Sequence, residues 1–244
     1  REEIMQQVED IKFLDSKLVY VGDKAFGQAP NQDALIEMYD QIKEYNPDFD
    51  GFIVQTSSVD FANKKVFNKE YLAKSHIKYV ELGVETYNDD ILAKLNKRHS
   101  QKKHTDAALE NARENGVKII PNIIVGLTGK NKDGSKWSET KETYQNTLDW
   151  LEDNRDVISH LNVYALAIYE NTEIADNIDV KIEADSNENI VEKSFHDDKK
   201  VHQWAMDKFS EFANSVLDDT KGDTRFNVAA PTFYSPTEKA LSKI

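Results

Sequence analysis

Glu85 closes an apolar run that begins at Tyr79, and Asn122 interrupts a second, Ile119–Val125. A carboxylate or amide in such company must be wet, paired or hydrogen-bonded, because an unsatisfied buried polar group costs about 1–3 kcal/mol. Two further apolar runs end in Gly22-Asp23 and in Gln55-Thr56-Ser57, and the run through Asn122 ends in Gly126-Leu127-Thr128-Gly129. Lys97 and Arg98 add a basic doublet between them. This set suits recognition of a small polar ligand. Carboxylates and amides hold hydroxyls, an aspartate holds an ammonium, and glycines let a ligand approach the backbone closely. The guanidinium fork of Arg98 suits a carboxylate better than the point charge of Lys97. Each residue also has a plainer reading. Gly-Asp is a common turn pair, Glu85 could be a helix-start carboxylate favoured by the dipole, and Asn122 could bond its own backbone beside Pro121. Gln55 could be ordinary loop polarity, Lys97 and Arg98 an exposed helix end, and Gly126 and Gly129 a simple turn.

Other chemistries are excluded. The absence of cysteine removes disulfides, thiolate zinc sites, cysteine nucleophiles and cysteine-held iron–sulfur clusters together. The six histidines, at 76, 99, 104, 160, 196 and 202, lack the spacing of helix-borne zinc ligands. Neither a P-loop, a Gly-x-Ser-x-Gly elbow nor a Gly-x-Gly-x2-Gly fingerprint occurs. A net charge of −13 with scattered acids argues against a nucleic-acid partner, which calls for basic residues concentrated on one face. Lys97, Arg98, Lys102 and Lys103 form the one basic group, and a solvated loop accounts for it. No apolar run nears the roughly 18–20 residues needed to cross a bilayer, so no membrane partner is expected; a cytoplasmic location is the default expectation.

The polar positions gain meaning from the elements that carry them. Strand-like runs at Lys17–Gly22, Gly51–Gln55, Lys78–Glu85, Val117–Gly126 and Ile158–Ile168 are mostly continuously apolar, as parallel strands covered by helices are. Amphipathic helices lie between them. Asn31 can cap one, Asn88 opens a short one, Gly116 ends a third and Ser138 begins a fourth. Such alternation fits right-handed βαβ crossovers, in either a barrel or a doubly wound sheet. In a barrel, ligands gather at the C-terminal strand ends, where Asp23, Gln55, Glu85, Asn122 and Gly126 fall. Ile4, Val8 and Ile11 recur at helical spacing, so the chain is expected to start inside a helix, with one βα unit missing from the front. After about residue 175 the pattern changes to a polar excursion over 176–189. A long helix through Val201, Trp204, Phe209 and Val216 follows, then an irregular tail from Gly222. Residues 1–175 are expected to form the barrel domain, with 176–244 appended.

Three stretches carry a resemblance to a known family. Tyr79-Val-Glu-Leu-Gly-Val-Glu85, with the acidic turn and Leu95-Asn-Lys97-Arg98 after it, resembles the fourth strand and following helix of radical S-adenosylmethionine (SAM) enzymes. Asn115-Gly-Val-Lys-Ile-Ile-Pro-Asn122-Ile-Ile-Val-Gly126-Leu-Thr-Gly129 is similar to their fifth strand, and Leu161–Thr172 to their sixth. The likeness is good over Gly51–Thr172, looser over Arg1–Asp50 and absent from the tail. It implies a partial (β/α)6 TIM-type barrel with parallel strands, lacking its first βα unit, plus a C-terminal helix.

The resemblance also implies roles. Glu85 and Asn122 would reach the ribose of SAM, Lys97 or Arg98 its carboxylate, and Asp23 its ammonium. Gln55 would touch ligand or substrate, and Gly126, with the backbone of Ala167 and Ile168, would lie near adenine. The family's Cys-x3-Cys-x2-Cys loop and the strand before it are lacking. Lys130 stands where an acidic residue often follows the turn, Thr128 replaces proline, and Glu170-Asn171 replaces Pro-Gly. The expectation is a piece of a radical SAM enzyme whose intact parent uses SAM and a [4Fe-4S] cluster. The missing N-terminal segment would be its partner, and this chain alone would be inactive and unable to bind the cluster. The alternatives are a cysteine-free barrel serving as a binding or scaffold module, and a doubly wound domain for another nucleotide.

Overall fold

The structure, a computed structural model, describes residues 8–9, 16–23, 26–27, 29–166, 168–169, 190–192 and 199–219. Five strands make the main sheet: β1 (Leu18–Val21), β2 (Gly51–Thr56), β3 (Ile77–Glu85), β4 (Lys118–Val125) and β7 (Asn162–Ala165). They lie side by side in chain order, and every neighbouring pair is parallel. A doubly wound sheet reverses its strand order at a switch point. This one never does, so it is the arc of a barrel, as five of the six expected βα units would make.

Helices connect the strands. Helix α1 (Ala29–Tyr45) starts two residues ahead of Asn31, because Pro30 needs no N–H partner in a first turn. Two helices not read from the sequence follow β2. In α2 (Ser58–Ala62) the Ser57 side chain accepts from Asp60, and in α3 (Lys69–Ser75) the Asn68 side chain accepts from Tyr71. Asn88 caps α4 (Asp89–Lys94), and α5 (Lys102–Asn115) ends at Gly116 with φ +67°, a conformation that glycine adopts without strain.

The fourth expected helix begins later than Ser138. Ser138 ends β6 (Lys136–Ser138), which pairs antiparallel with β5 (Thr128–Lys130). A Thr140–Thr143 capping box then opens α6 (Lys141–Asp153). The expected strand Ile158–Ile168 is also divided. Ile158 bridges Ile119, and pairing resumes at Asn122 with Asn162, so four residues on one strand match three on the other and a bulge separates them. Ile168 has left the main sheet: β8 (Ile168–Tyr169) pairs antiparallel with β9 (Ile190–Glu192). An apolar run shows neither break.

Successive strand side chains alternate between faces, and the outward face makes the core. Phe52, Val54, Val80, Leu82, Val84, Ile123 and Val125 are buried there against Leu35, Ile42, Leu109, Leu148 and Leu151 of the helices. Each such side chain contributes about 1.5–3 kcal/mol on burial. The C-terminal helix α7 (Lys199–Asp219) adds Ala205, Phe209, Phe212 and Val216 to the same core. Val8 is buried in it too, on a helical turn at residues 8–9. Ile4 and Ile11, the excursion at 176–189 and the tail from Gly222 lie outside the described residues. Among those described, no helix is long and apolar enough to cross a membrane.

Candidate ligand site on the barrel rim

All five strands of the sheet finish at one edge, because all run parallel. Asp23, Gln55, Glu85, Asn122 and Gly126 therefore belong to one rim and the face just beneath it. Glu85 ends β3 in the left-handed region, φ +64°, where the β3–β4 register slips between Gly83 and Glu85. A Cβ on Gly83 would stand 3.2 Å from Glu85 Oε1, so glycine there leaves the carboxylate room to fold back over the sheet. Glu85 is 9% exposed and accepts a charged hydrogen bond from Lys97 Nζ.

The link that brings Lys97 to Glu85 is local. Asn96 takes φ +56° just past α4. A single 3₁₀ turn, Arg98–Ser100, follows, and the Ser100 hydroxyl donates to Gly83 O at 2.8 Å. The segment is thereby pinned to the strand end beside Glu85. Arg98, one residue further on, is exposed and outside this pair.

A chain of hydrogen bonds crosses the inward face one level below the rim. Tyr20 on β1 donates its one hydroxyl proton chiefly to Glu81 Oε2 at 2.9 Å, with Gln55 Oε1 on β2 at 3.3 Å from the same hydroxyl. Asn122 Nδ2 on β4 donates to Glu81 Oε1 on β3 at 2.7 Å, and Asn162 Nδ2 on β7 donates to Asn122 Oδ1 at 2.8 Å. Five consecutive strands are thus joined through side chains. Partial burial, then the nearby Glu81 carboxylate, push the Tyr20 hydroxyl well above the usual tyrosine range, so it stays a donor. Asn122, at 9% exposure, bonds to side chains of the two neighbouring strands and not to its own backbone. Tyr20, Glu81 and Asn162 are absent from the sequence-derived set. The period-two recurrence of 81, 83 and 85 in β3 marks Glu81, whereas no local pattern marks Tyr20 or Asn162.

The glycine turn is braced from below. Gly126 has φ +96°, and a Cβ there would meet the His202 ring of α7 at 3.1 Å. Its N–H donates to the Tyr144 hydroxyl at 3.0 Å, and Leu127 N–H donates to Glu139 Oε2 at 3.3 Å. Glu139, 2% exposed, also accepts from Thr86 and Tyr144. Desolvation outweighs these bonds and raises its carboxyl to about 8. Lys130 replaces the acidic residue expected after the turn, but the β5–β6 hairpin returns the chain so that Glu139 meets it. Gly22 is exposed and Asp23 half-buried, two residues past β1. Ala167 lies outside the described residues, and the Ile168 backbone serves the β8–β9 pair.

A five-strand parallel arc with polar groups gathered at its C-terminal edge defines an α/β-barrel protein with a rim site. Residues 1–136 match the family model of the radical SAM superfamily. The chain belongs to that superfamily. Coproporphyrinogen III oxidase (HemN) from Escherichia coli, a radical SAM enzyme, superposes with a TM-score of 0.56 at 15% identity, over 88% of this chain and 45% of its own. The radical SAM methyltransferase TsrM from Kitasatospora setae, solved with cobalamin and a [4Fe-4S] cluster, gives 0.50 at 12% identity, over 68% and 30%. The chain thus spans less than half the length of either, and at these identities the likeness is one of fold. No curated protein matches the sequence.

The superfamily implies SAM and an iron–sulfur cluster, and the residues present fit them unequally. The rim offers acceptors, donors and a glycine turn of the kinds a nucleoside needs. A cluster held by cysteine does not fit this chain, which has none. Among the described residues no group of histidine and acidic side chains takes its place.

Proposed function

We propose that this chain forms the SAM-holding part of a radical SAM enzyme, and that any cluster-holding thiolates lie outside these 244 residues. The observation that carries the reading is the Glu85–Lys97 pair on the rim, beside a face that also bears Gln55 and Asn122. The two charges match opposite needs of one ligand. Lys97 can leave Glu85 for the carboxylate of the methionine moiety, freeing Glu85 to accept from the ribose hydroxyls. Asn122 reaches the ribose from β4, Gly126 lies under adenine, Asp23 receives the ammonium, and Gln55 faces ligand or substrate. The backbone of Ala167 and Ile168 completes the adenine side, and Arg98 is the alternative carboxylate partner. The radical chemistry of the superfamily needs the cluster and SAM together, and this chain offers residues to the second alone.

The cysteine-free composition favours a second reading, a barrel kept as a binding or scaffold module. The complete gene separates the two. Expressed anaerobically, a cysteine-bearing product is expected to show iron–sulfur absorption and to release 5′-deoxyadenosine from SAM. A cysteine-bearing product that does neither contradicts the enzyme reading, and a complete gene without cysteine supports the module.

A further inference from the structure

The side-chain chain across the inward face has a direction, and a single residue sets it. Asparagine can point its amide either way, and its two ends look alike until the hydrogen bonds around them decide. Glu81 decides here. An ionised carboxylate only accepts, so both groups that touch it must donate: the Tyr20 hydroxyl at 2.9 Å and Asn122 Nδ2 at 2.7 Å. With Nδ2 committed to Glu81, Asn122 Oδ1 faces β7, where Asn162 Nδ2 donates to it at 2.8 Å. A flipped Asn122 would set its oxygen against the carboxylate and its amino group against that of Asn162. One N–H and one lone pair of Asn122 remain for a ligand, in places fixed by Glu81 and Asn162 together.

We infer that Glu81 is a positioning residue, which acts on the ligand through Asn122 by holding the Asn122 amide in one orientation. This rests on the reading of Asn122 as a ribose-facing residue. The carboxylate suits the task better than a neutral group would. Hydrogen bonds to an ionised acceptor are roughly twice as strong as neutral ones, and the Asn122 amide is at once nearly buried and aimed at the inward face. Glu81 makes no salt bridge among the described residues, so its acceptor capacity goes to these neutral donors.

Two measurements on the 244-residue chain test the inference separately from the reading it rests on. In one, S-adenosylhomocysteine is titrated calorimetrically into the wild type, Glu81→Leu and Glu81→Gln. Glu81→Leu is expected to weaken binding about 10–100-fold, the equivalent of one charge-assisted hydrogen bond. Glu81→Gln, which keeps an acceptor for Asn122, is expected to recover all but about 3-fold of it. In the other, the Asn122 side-chain amide is followed by ¹H–¹⁵N NMR. Its resonances should move and exchange faster in Glu81→Leu, and return near the wild-type position in Glu81→Gln. An Asn122 signal unchanged in Glu81→Leu overturns the inference whether or not the ligand binds. A wild type that ignores the ligand, with the Asn122 signal still moved in Glu81→Leu, defeats only the reading of the site. If Glu81→Leu fails to fold, Glu81→Met, unbranched like glutamate but without an acceptor for Asn122 Nδ2, replaces it. An unmoved Asn122 signal there contradicts the inference equally.

Discussion

Glu85 and Lys97 restrain one another, and the restraint differs at the two ends. The Glu85 side chain is 11% exposed and that of Lys97 38%, so the carboxylate depends on the ammonium more than the reverse. Lys97→Met would leave Glu85 without a counter-charge in a nearly buried place. Its cost should fall between that of a surface pair and a buried one, about 1–2 kcal/mol by urea unfolding. Arg98→Met removes an exposed charge and should stay within about 0.5 kcal/mol of wild type. Binding of S-adenosylhomocysteine should separate the neighbours in the same order, lost by about 10-fold or more at Lys97 and nearly unchanged at Arg98. The reverse ranking would assign the carboxylate to Arg98. The sequence made both residues candidates because type and spacing alone allow a slip of one position. The turn between Asn96 and Ser100 sets Lys97, and not Arg98, against Glu85, and that placement depends on the Ser100 bond to Gly83, which no local pattern announces.

The β5–β6 hairpin and the start of α6 act together through Glu139. Desolvation raises its carboxyl from an ordinary 4.5 to about 8, so the folded protein keeps a proton that the unfolded chain releases. Stability from this group is therefore complete below about pH 4.5 and lost as pH rises towards 8, at a slope of up to about 1.4 kcal/mol per pH unit. Glu139→Gln should remove that slope, so urea midpoints of the two proteins should diverge between pH 5 and 8, with the wild type falling faster. Parallel midpoint curves would show that the carboxylate carries no raised pKa. Strand and helix positions were legible because hydrophobic period and caps are local: Asn88 and Gly116 stand where the sequence puts them. The hairpin was not, because its three-residue strands lie in a polar segment, Thr128–Ser138, too short to show a period. Ser138 has the residue type of a helix start but ends a strand. The bulge before Asn162 escaped for a related reason, since apolar residues continue through it.

At the scale of the whole molecule, chain-order parallel pairing places the ends of five strands at one edge, and this turns scattered polar residues into neighbours. Parallel alternation was readable in the sequence, but a barrel and a doubly wound sheet share it, and only the order of strands in space distinguishes them. The inward face is the least legible part of the fold in the sequence. Its bonds join residues 20, 55, 81, 122 and 162, and contacts so far apart along the chain exist only once the sheet is assembled. The C-terminal helix was legible as an apolar stripe, yet its place in the same core as the strands was not. That place sets His202 against Gly126, so the far end of the sequence helps to shape the rim. A crystal structure of the protein with SAM bound decides whether the rim of the sheet holds the nucleoside. The nucleoside is expected over the C-terminal edge of β3 and β4, with Lys97 turned from Glu85 to the ligand's carboxylate and Glu85 on the ribose. A ligand bound elsewhere, with the Glu85–Lys97 pair still closed, would contradict that placement.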